Sequence, residues 1–268
     1  MLRIAQSGPR TTKLALISLF AVLYTVLRLV PTFPMVGALG SFSASDTLAP
    51  IYGILLGPYI GGGSIIIGTF LAIAFGKPAT FLGLDFLPAA VAAISLGFLV
   101  QRRFRPVIAL FIVLLGLYLI HPFTLRLVTL PNGVPVPFNW LHLVALAVLI
   151  SPLSRRAVNW VTAASPKRLP IGLAVLCFIG TMMQHTTGGL LFESVLGSLL
   201  NTIKVNAWPG VWTTVFYVYP FERLIITVVA ALIGSALITT LRSSNVKLIS
   251  QPVTIGSVAV YTGESSNS

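Results

Sequence analysis

The chain has 268 residues, 56% of them apolar and 8% charged, where an average soluble domain carries about 25% charged residues. Its formal charge is +12 and its mean hydropathy +0.97. This excludes a soluble globular domain, because no soluble core uses so much apolar surface. A lone cysteine, Cys177 inside an apolar run, excludes a disulfide framework and a thiolate metal site. The positive charge does not point to nucleic acid, because the basic residues cluster in short loops beside apolar runs, where the positive-inside rule places them.

A helix needs about 20 apolar residues to cross roughly 30 Å of hydrocarbon. Eight apolar segments follow one another, at about 14–31, 46–57, 59–76, 86–101, 106–121, 140–153, 169–187 and 214–241. The first has basic flanks but exceeds a signal-peptide core, so it reads as a retained span. Leu56-Gly57-Pro58-Tyr59 separates the second from the third, and a proline there predicts a tight helix turn or kink. The expected fold is an all-α transmembrane bundle of about eight spans (six to eight), filling 14–242. A cytoplasmic segment, 1–13, precedes it, and a disordered cytoplasmic tail, 243–268, follows.

Charge orients the bundle. With the N-terminus inside, the inner side receives Arg3, Arg10, Lys13, Arg102, Arg103, Arg105, Arg155, Arg156, Lys167, Arg168, Arg242 and Lys247. That leaves Arg28, Lys77, Arg126, Lys204 and Arg223 at or near the outside. If the break at Gly57-Pro58 were not a turn, every later loop would change sides and the bias would break. Both termini are therefore expected in the cytoplasm of a multi-pass cell-membrane protein.

The outer loops carry more sequence detail than the inner ones. Pro131, Pro135 and Pro137 predict an extended, rigid segment within 122–139. The 188–213 loop reads as partly helical from Leu190 to Ile203. Trp208, Trp212, Tyr217 and Tyr219 fit an interfacial aromatic belt.

Four of the five acids and all three histidines fall in the outer half: Asp46, Asp85, Glu193, Glu222, His121, His142 and His185. An ionisable group in a span is costly unless paired or facing water. Arg28 and Glu222 therefore mark a polar pocket, although Arg28 could instead snorkel and Glu222 could pair with Arg223. Gln184 and His185, at the end of the seventh span, offer donors and acceptors to a polar ligand. The run Gly61-Gly62-Gly63-Ser64 suits close helix approach. An intramembrane serine nucleophile at Ser64 is the sharper alternative, but Ser64 falls in the half opposite the histidines. No P-loop or metal-ligand constellation is present, and no cofactor is expected.

Leu27-Arg28-Leu29-Val30-Pro31, the loop to Ser45-Asp46, and Gly53-Ile54-Leu55-Leu56-Gly57-Pro58-Tyr59-Ile60-Gly61 together resemble the substrate-binding S component of energy-coupling-factor vitamin transporters. Pro220-Phe221-Glu222-Arg223-Leu224-Ile225-Ile226 is similar to that family's last helix. The resemblance implies capture of a vitamin or related micronutrient near the outer face. It also implies partnership with a transmembrane coupling subunit and two ATPases, and toppling of the loaded component to release its ligand inside. The family usually has six helices, so the extra pair falls between 106 and 153. The family's small-x-x-x-small face on the first helix maps to Ala21 and Thr25, the expected partner contact.

The leading expectation is therefore a non-catalytic binding component for a small micronutrient. Arg28, Asp46, Lys77, His185, Glu193 and Glu222 would orient the ligand, with Trp208 and Tyr219 packing its flat parts. A membrane enzyme on a lipid-linked substrate, with His185 as base and Glu193 as orienter, competes with it. So does a ligand-free scaffold, which would pair every outer charge and leave no cavity.

Overall fold

The computed structural model describes residues 10–38, 40–163 and 167–243. Arg3 and Lys247, all but the first residue of the 243–268 tail, and most of the 1–13 segment lie outside them. Eight α-helices run along the described chain: α1 (Arg10–Leu29), α2 (Ala44–Ala74), α3 (Leu87–Val100), α4 (Phe104–Ile120), α5 (Trp140–Ile150), α6 (Pro152–Thr162), α7 (Leu169–Leu191) and α8 (Trp208–Ser243). Two antiparallel hairpins interrupt them. In one, β1 (Pro31–Pro34) pairs with β2 (Ser41–Ser43); in the other, β3 (Leu127–Thr129) pairs with β4 (Pro135–Pro137). The second is the extended segment expected from its prolines, closed around Gly133 at φ +82.

Among the described residues four helices are long and apolar enough to cross a membrane: Arg10–Leu29, Ala44–Ala74, Leu169–Leu199 and Val205–Ser243. A fifth results if α5 and α6, bent by 68°, form one broken span. Helices α3 and α4 are shorter and equally apolar. The chain is thus an all-α bundle with helices that fit a bilayer.

The expected break at Gly57 is a sharp turn. Gly57 has φ 79 and ψ 177, a conformation that favours glycine, and Pro58 cannot donate back into the preceding arm. Contacts on α1 show what the turn does. The first arm runs antiparallel to α1, with Arg28 against Asp46 and the Phe20 carbonyl against the Tyr52 hydroxyl. The second arm runs parallel to it, with the Ile17 carbonyl against Ser64 and Thr25 against Gly68. So α2 is a helical hairpin, and its arms close on each other: a Cβ on Gly61 would stand 2.8 Å from the Tyr52 carbonyl oxygen.

Small residues let α3 press into this hairpin. A Cβ on Gly53 would overlap the Ala93 carbonyl, and one on Gly62 would stand 2.7 Å from Ile94. The glycine run therefore packs helices, and Ser64 donates to the Ile60 and Ile17 carbonyls. Ala21 and Thr25 need correcting. Both are buried: Thr25 donates to the Gly68 carbonyl, and a Cβ on Gly68 would meet the Ala21 carbonyl at 2.7 Å. The pair packs α1 against its own chain.

Three of the four belt aromatics also turn inward. Trp208, Trp212 and Tyr219 are buried, and only Tyr217 is exposed. The reason is partners: Trp208 stacks on Phe123 at 5.0 Å, and Trp212 meets Phe138 edge-on at 5.2 Å. The long loop before the last helix is shorter than expected. Helix α7 continues as a π-helical turn, Phe192–Leu199, and α8 already starts at Trp208.

Candidate functional site

At the end of the bundle where α1 stops and α2 starts, a cavity of about 120 Å³ opens beneath the β1–β2 hairpin. That is room for roughly ten waters, taking about 10–15 Å³ of such space for each. Helix period builds its walls. Trp212, Val215, Tyr219 and Glu222 recur at intervals of three and four, forming one stripe of α8. Gln184, His185, Gly188 and Gly189 do the same on α7. Arg28 comes from the last turn of α1 and Asp46 from the first of α2, while Lys77 and Asp85 come from the connection to α3. The hairpin supplies Met35, Phe42 and Ser43 as a roof, and Gly37 at its tip lies against Val211 of α8.

Three cations, Arg28, Lys77 and Arg223, face three acids, Asp46, Asp85 and Glu222. Arg28 is only 7% exposed, so it does not snorkel. Its Nη1 donates to Asp46 Oδ1 and its Nη2 to the Asp85 carbonyl, both at 3.4 Å. The other Asp46 oxygen accepts from the Ser43 amide at 2.9 Å and fixes the start of α2. Arg223, 2% exposed, donates to Thr181 at 3.3 Å, lies 3.5 Å from the Glu222 carboxylate and stands over the Phe42 ring at 5.6 Å. Such a cation–ring contact contributes about 0.5–2 kcal/mol. Burial pushes the Lys77 ammonium below the ordinary lysine value, Arg28 pushes the same way, and Asp46 opposes them.

Behind the cavity wall lies a second polar layer. His185 Nδ1 and His142 Nε2 are 2.9 Å apart, and both rings stack near Tyr219. Tyr219 is anchored by donating to the Phe138 carbonyl at 3.1 Å. Glu193 is fully buried on the π-helical turn, where it accepts from Thr124 at 2.7 Å and contacts His121 at 3.2 Å.

The structure therefore brings five of the six expected ligand residues, Arg28, Asp46, Lys77, His185 and Glu222, around one cavity. Glu193 does not line it. The His185–Glu193 pairing fails with it, because each is bonded elsewhere. Of the two aromatics expected against a ligand, Tyr219 is in the wall and Trp208 is not; Trp212 lies there instead. Sequence reasoning set Arg223 near the outside as a pair for Glu222, not among the ligand residues. The signal was there, since a cation inside an apolar run is costly without a partner or a role. The described residues hold no group of three or more metal-ligating side chains.

No family model matches the chain, and no solved structure matches it. It is similar to an uncharacterized protein of Methanocaldococcus jannaschii, 24% identical over 201 residues. The match covers 74% of this chain and 61% of that relative, so this chain spans under two thirds of the relative's length. The relative brings no ligand and no activity to the comparison.

Proposed function

We propose that the chain is a multi-pass cell-membrane protein of about eight spans that binds a small polar micronutrient for uptake, as the S component of an energy-coupling-factor transporter does. In this reading its termini lie in the cytoplasm and the cavity opens near the outer face, an orientation that the distribution of Lys and Arg along the sequence supports. One observation carries the reading: two buried arginines stand in a hairpin-roofed cavity, and the Nε of each has no hydrogen-bond partner among the described residues. A scaffold would pair such groups or replace them by apolar side chains, since an unsatisfied buried polar group costs about 1–3 kcal/mol. A ligand recovers that energy on binding. Coupling and ATPase subunits supply the work. They meet a face of α1 other than Ala21 and Thr25, where Leu19, Val22 and Val26 are exposed.

The test is a ligand search. Full-length protein purified in detergent is denatured, and the released small molecules are identified by mass spectrometry, alongside Arg28→Ala and Glu222→Ala. A micronutrient present in wild type and lost in both folded variants is the expected result. Wild-type protein that releases nothing and shows no thermal shift with a vitamin panel would overturn the reading.

A further inference from the structure

Resting on that binding reading, we infer that the ligand is a small flat monocarboxylate whose anionic oxygens lie between the guanidinium groups of Arg28 and Arg223. The argument starts from which polar groups of the wall are left over. Arg28 spends two N–H groups on contacts of 3.4 Å, at the long limit of a hydrogen bond; its Nε has no hydrogen-bond partner among the described residues, although the Tyr24 hydroxyl interacts with the guanidinium. Arg223 spends one on Thr181 and pairs through Nη2 with Glu222 at 3.5 Å, while its Nε has no hydrogen-bond partner among the described residues. The Ser43 hydroxyl is likewise unpartnered.

Asp46 is more fully engaged than Glu222, whose one contact is the 3.5 Å pair with Arg223. Both oxygens of Asp46 are engaged, and an Asp85 oxygen accepts from the Phe81 amide at 3.1 Å. Among the fully buried polar atoms of the described lining, unpartnered nitrogens of Arg28 and Arg223 stand beside two unpartnered oxygens, Gln184 Oε1 and the Ser43 hydroxyl. A guanidinium only donates, so the cavity offers spare donors. A cation or a polyol needs acceptors and would leave these N–H groups unpaired. A carboxylate takes two parallel N–H bonds from an arginine fork and satisfies them.

Charge count and shape narrow the class. Three cations and three acids leave the lining neutral. One added negative charge is tolerated because the arginines hold their present acids only at 3.4 and 3.5 Å. A dianion would exceed what these two loose pairs release. The wall also carries rings: His185 and Tyr219 lie 11° from parallel at 5.0 Å, with Phe42 and Trp212 in the same lining. A ring packs there better than a flexible chain.

The experiment uses full-length protein in detergent, read by thermal shift and by quenching of tryptophan fluorescence, since Trp212 is in the wall. The probes are benzoate, pyridine carboxylate and indole carboxylate, each beside its own carboxamide, and inorganic phosphate. At least one acid is expected to bind about tenfold or more tighter than its amide, the size of one lost charged hydrogen bond. R28Q and R223Q are each expected to lose that difference, whereas R126Q, at an exposed residue outside the cavity, keeps it. If a glutamine variant does not fold, R28K and R223K replace it, because lysine keeps the charge and loses the fork. Amides binding as well as acids, or phosphate binding best, would overturn the carboxylate while leaving a ligand-binding protein. The same holds if no probe binds and mass spectrometry finds a co-purified non-acid. No probe bound and nothing co-purified would sink both readings.

Discussion

The two ends of the bundle treat charge in opposite ways. At one end Arg102 bonds Asn159, Arg155 stands over Phe104 and Arg242 bonds the Val161 carbonyl, with no acid among the described partners. These cations are met by carbonyls, amides and rings, or stand in solvent. At the other end the four described acids, Asp46, Asp85, Glu193 and Glu222, lie under cover with Arg28 and Arg223. Exposed charge sets orientation at little cost in stability. Buried charge sets what a cavity can hold and is expensive to keep.

The largest effect should come from the packed middle that joins the ends. Gly53→Leu drives a side chain into the Ala93 backbone. Overpacking typically costs about 1–3 kcal/mol and more against rigid backbone, so the expected outcome is little monodisperse protein on size-exclusion chromatography. Normal yield would mean that α2 and α3 can separate and that the ends are not held by one frame.

At the cavity end, Arg223→Met strands Glu222. Breaking a buried pair costs about 3–5 kcal/mol, reduced here because Glu222 keeps some exposure. Arg223→Met with Glu222→Gln should recover most of the lost melting temperature, because removing both charges also removes their desolvation. A double variant no more stable than the single one would show that the pair is not the costly feature.

Lys77 sharpens the comparison by pH. Its ammonium is depressed in the folded protein, so the unfolded chain holds more protons and stability rises with pH through the folded value. Affinity for an anion should move the other way, falling over the same alkaline window as Lys77 loses its charge. Lys77→Met should flatten both curves; an unchanged affinity profile would remove Lys77 from ligand binding. The smallest effect belongs to the basic end: Arg155→Ala loses one exposed ring contact, about 0.5–1 kcal/mol, and leaves ligand affinity alone. A larger drop would give that end a structural role.

Apolar runs were legible because lipid imposes length: each of the eight segments falls on a helical stretch, and the Gly57-Pro58 turn is written in two residues that act on their own backbone. Helix α6 was not legible. Its buried positions Ser154, Ala157, Val158 and Val161 recur at helical spacing, yet Arg155 and Arg156 between them read as a loop. At the site, Arg28, Asp46, Lys77, His185 and Glu222 could be placed because ionisable groups beside spans need a reason. Glu193 could not be placed. Eight residues along a helix turn it about 80° away from His185, and the π-helical turn beginning at Phe192 alters the rotation further. Trp208 and Trp212 suit a membrane interface or a buried cluster equally, and only their neighbours decide.

The hairpin at Gly57 also bears on the order of assembly during synthesis. Helices α1, α2 and α3 are consecutive and pack on one another, so the loops that close them are short and their contacts form early. The cavity is different: Arg28 and Asp46 belong to the first two described helices, while Tyr219, Glu222 and Arg223 belong to the last. The two sides of the cavity therefore come from helices far apart in sequence, with the Arg28–Asp46 pair formed wholly by the first two. A chain cut before Trp208 would keep Arg28 and Asp46 but lack the α8 side of the cavity.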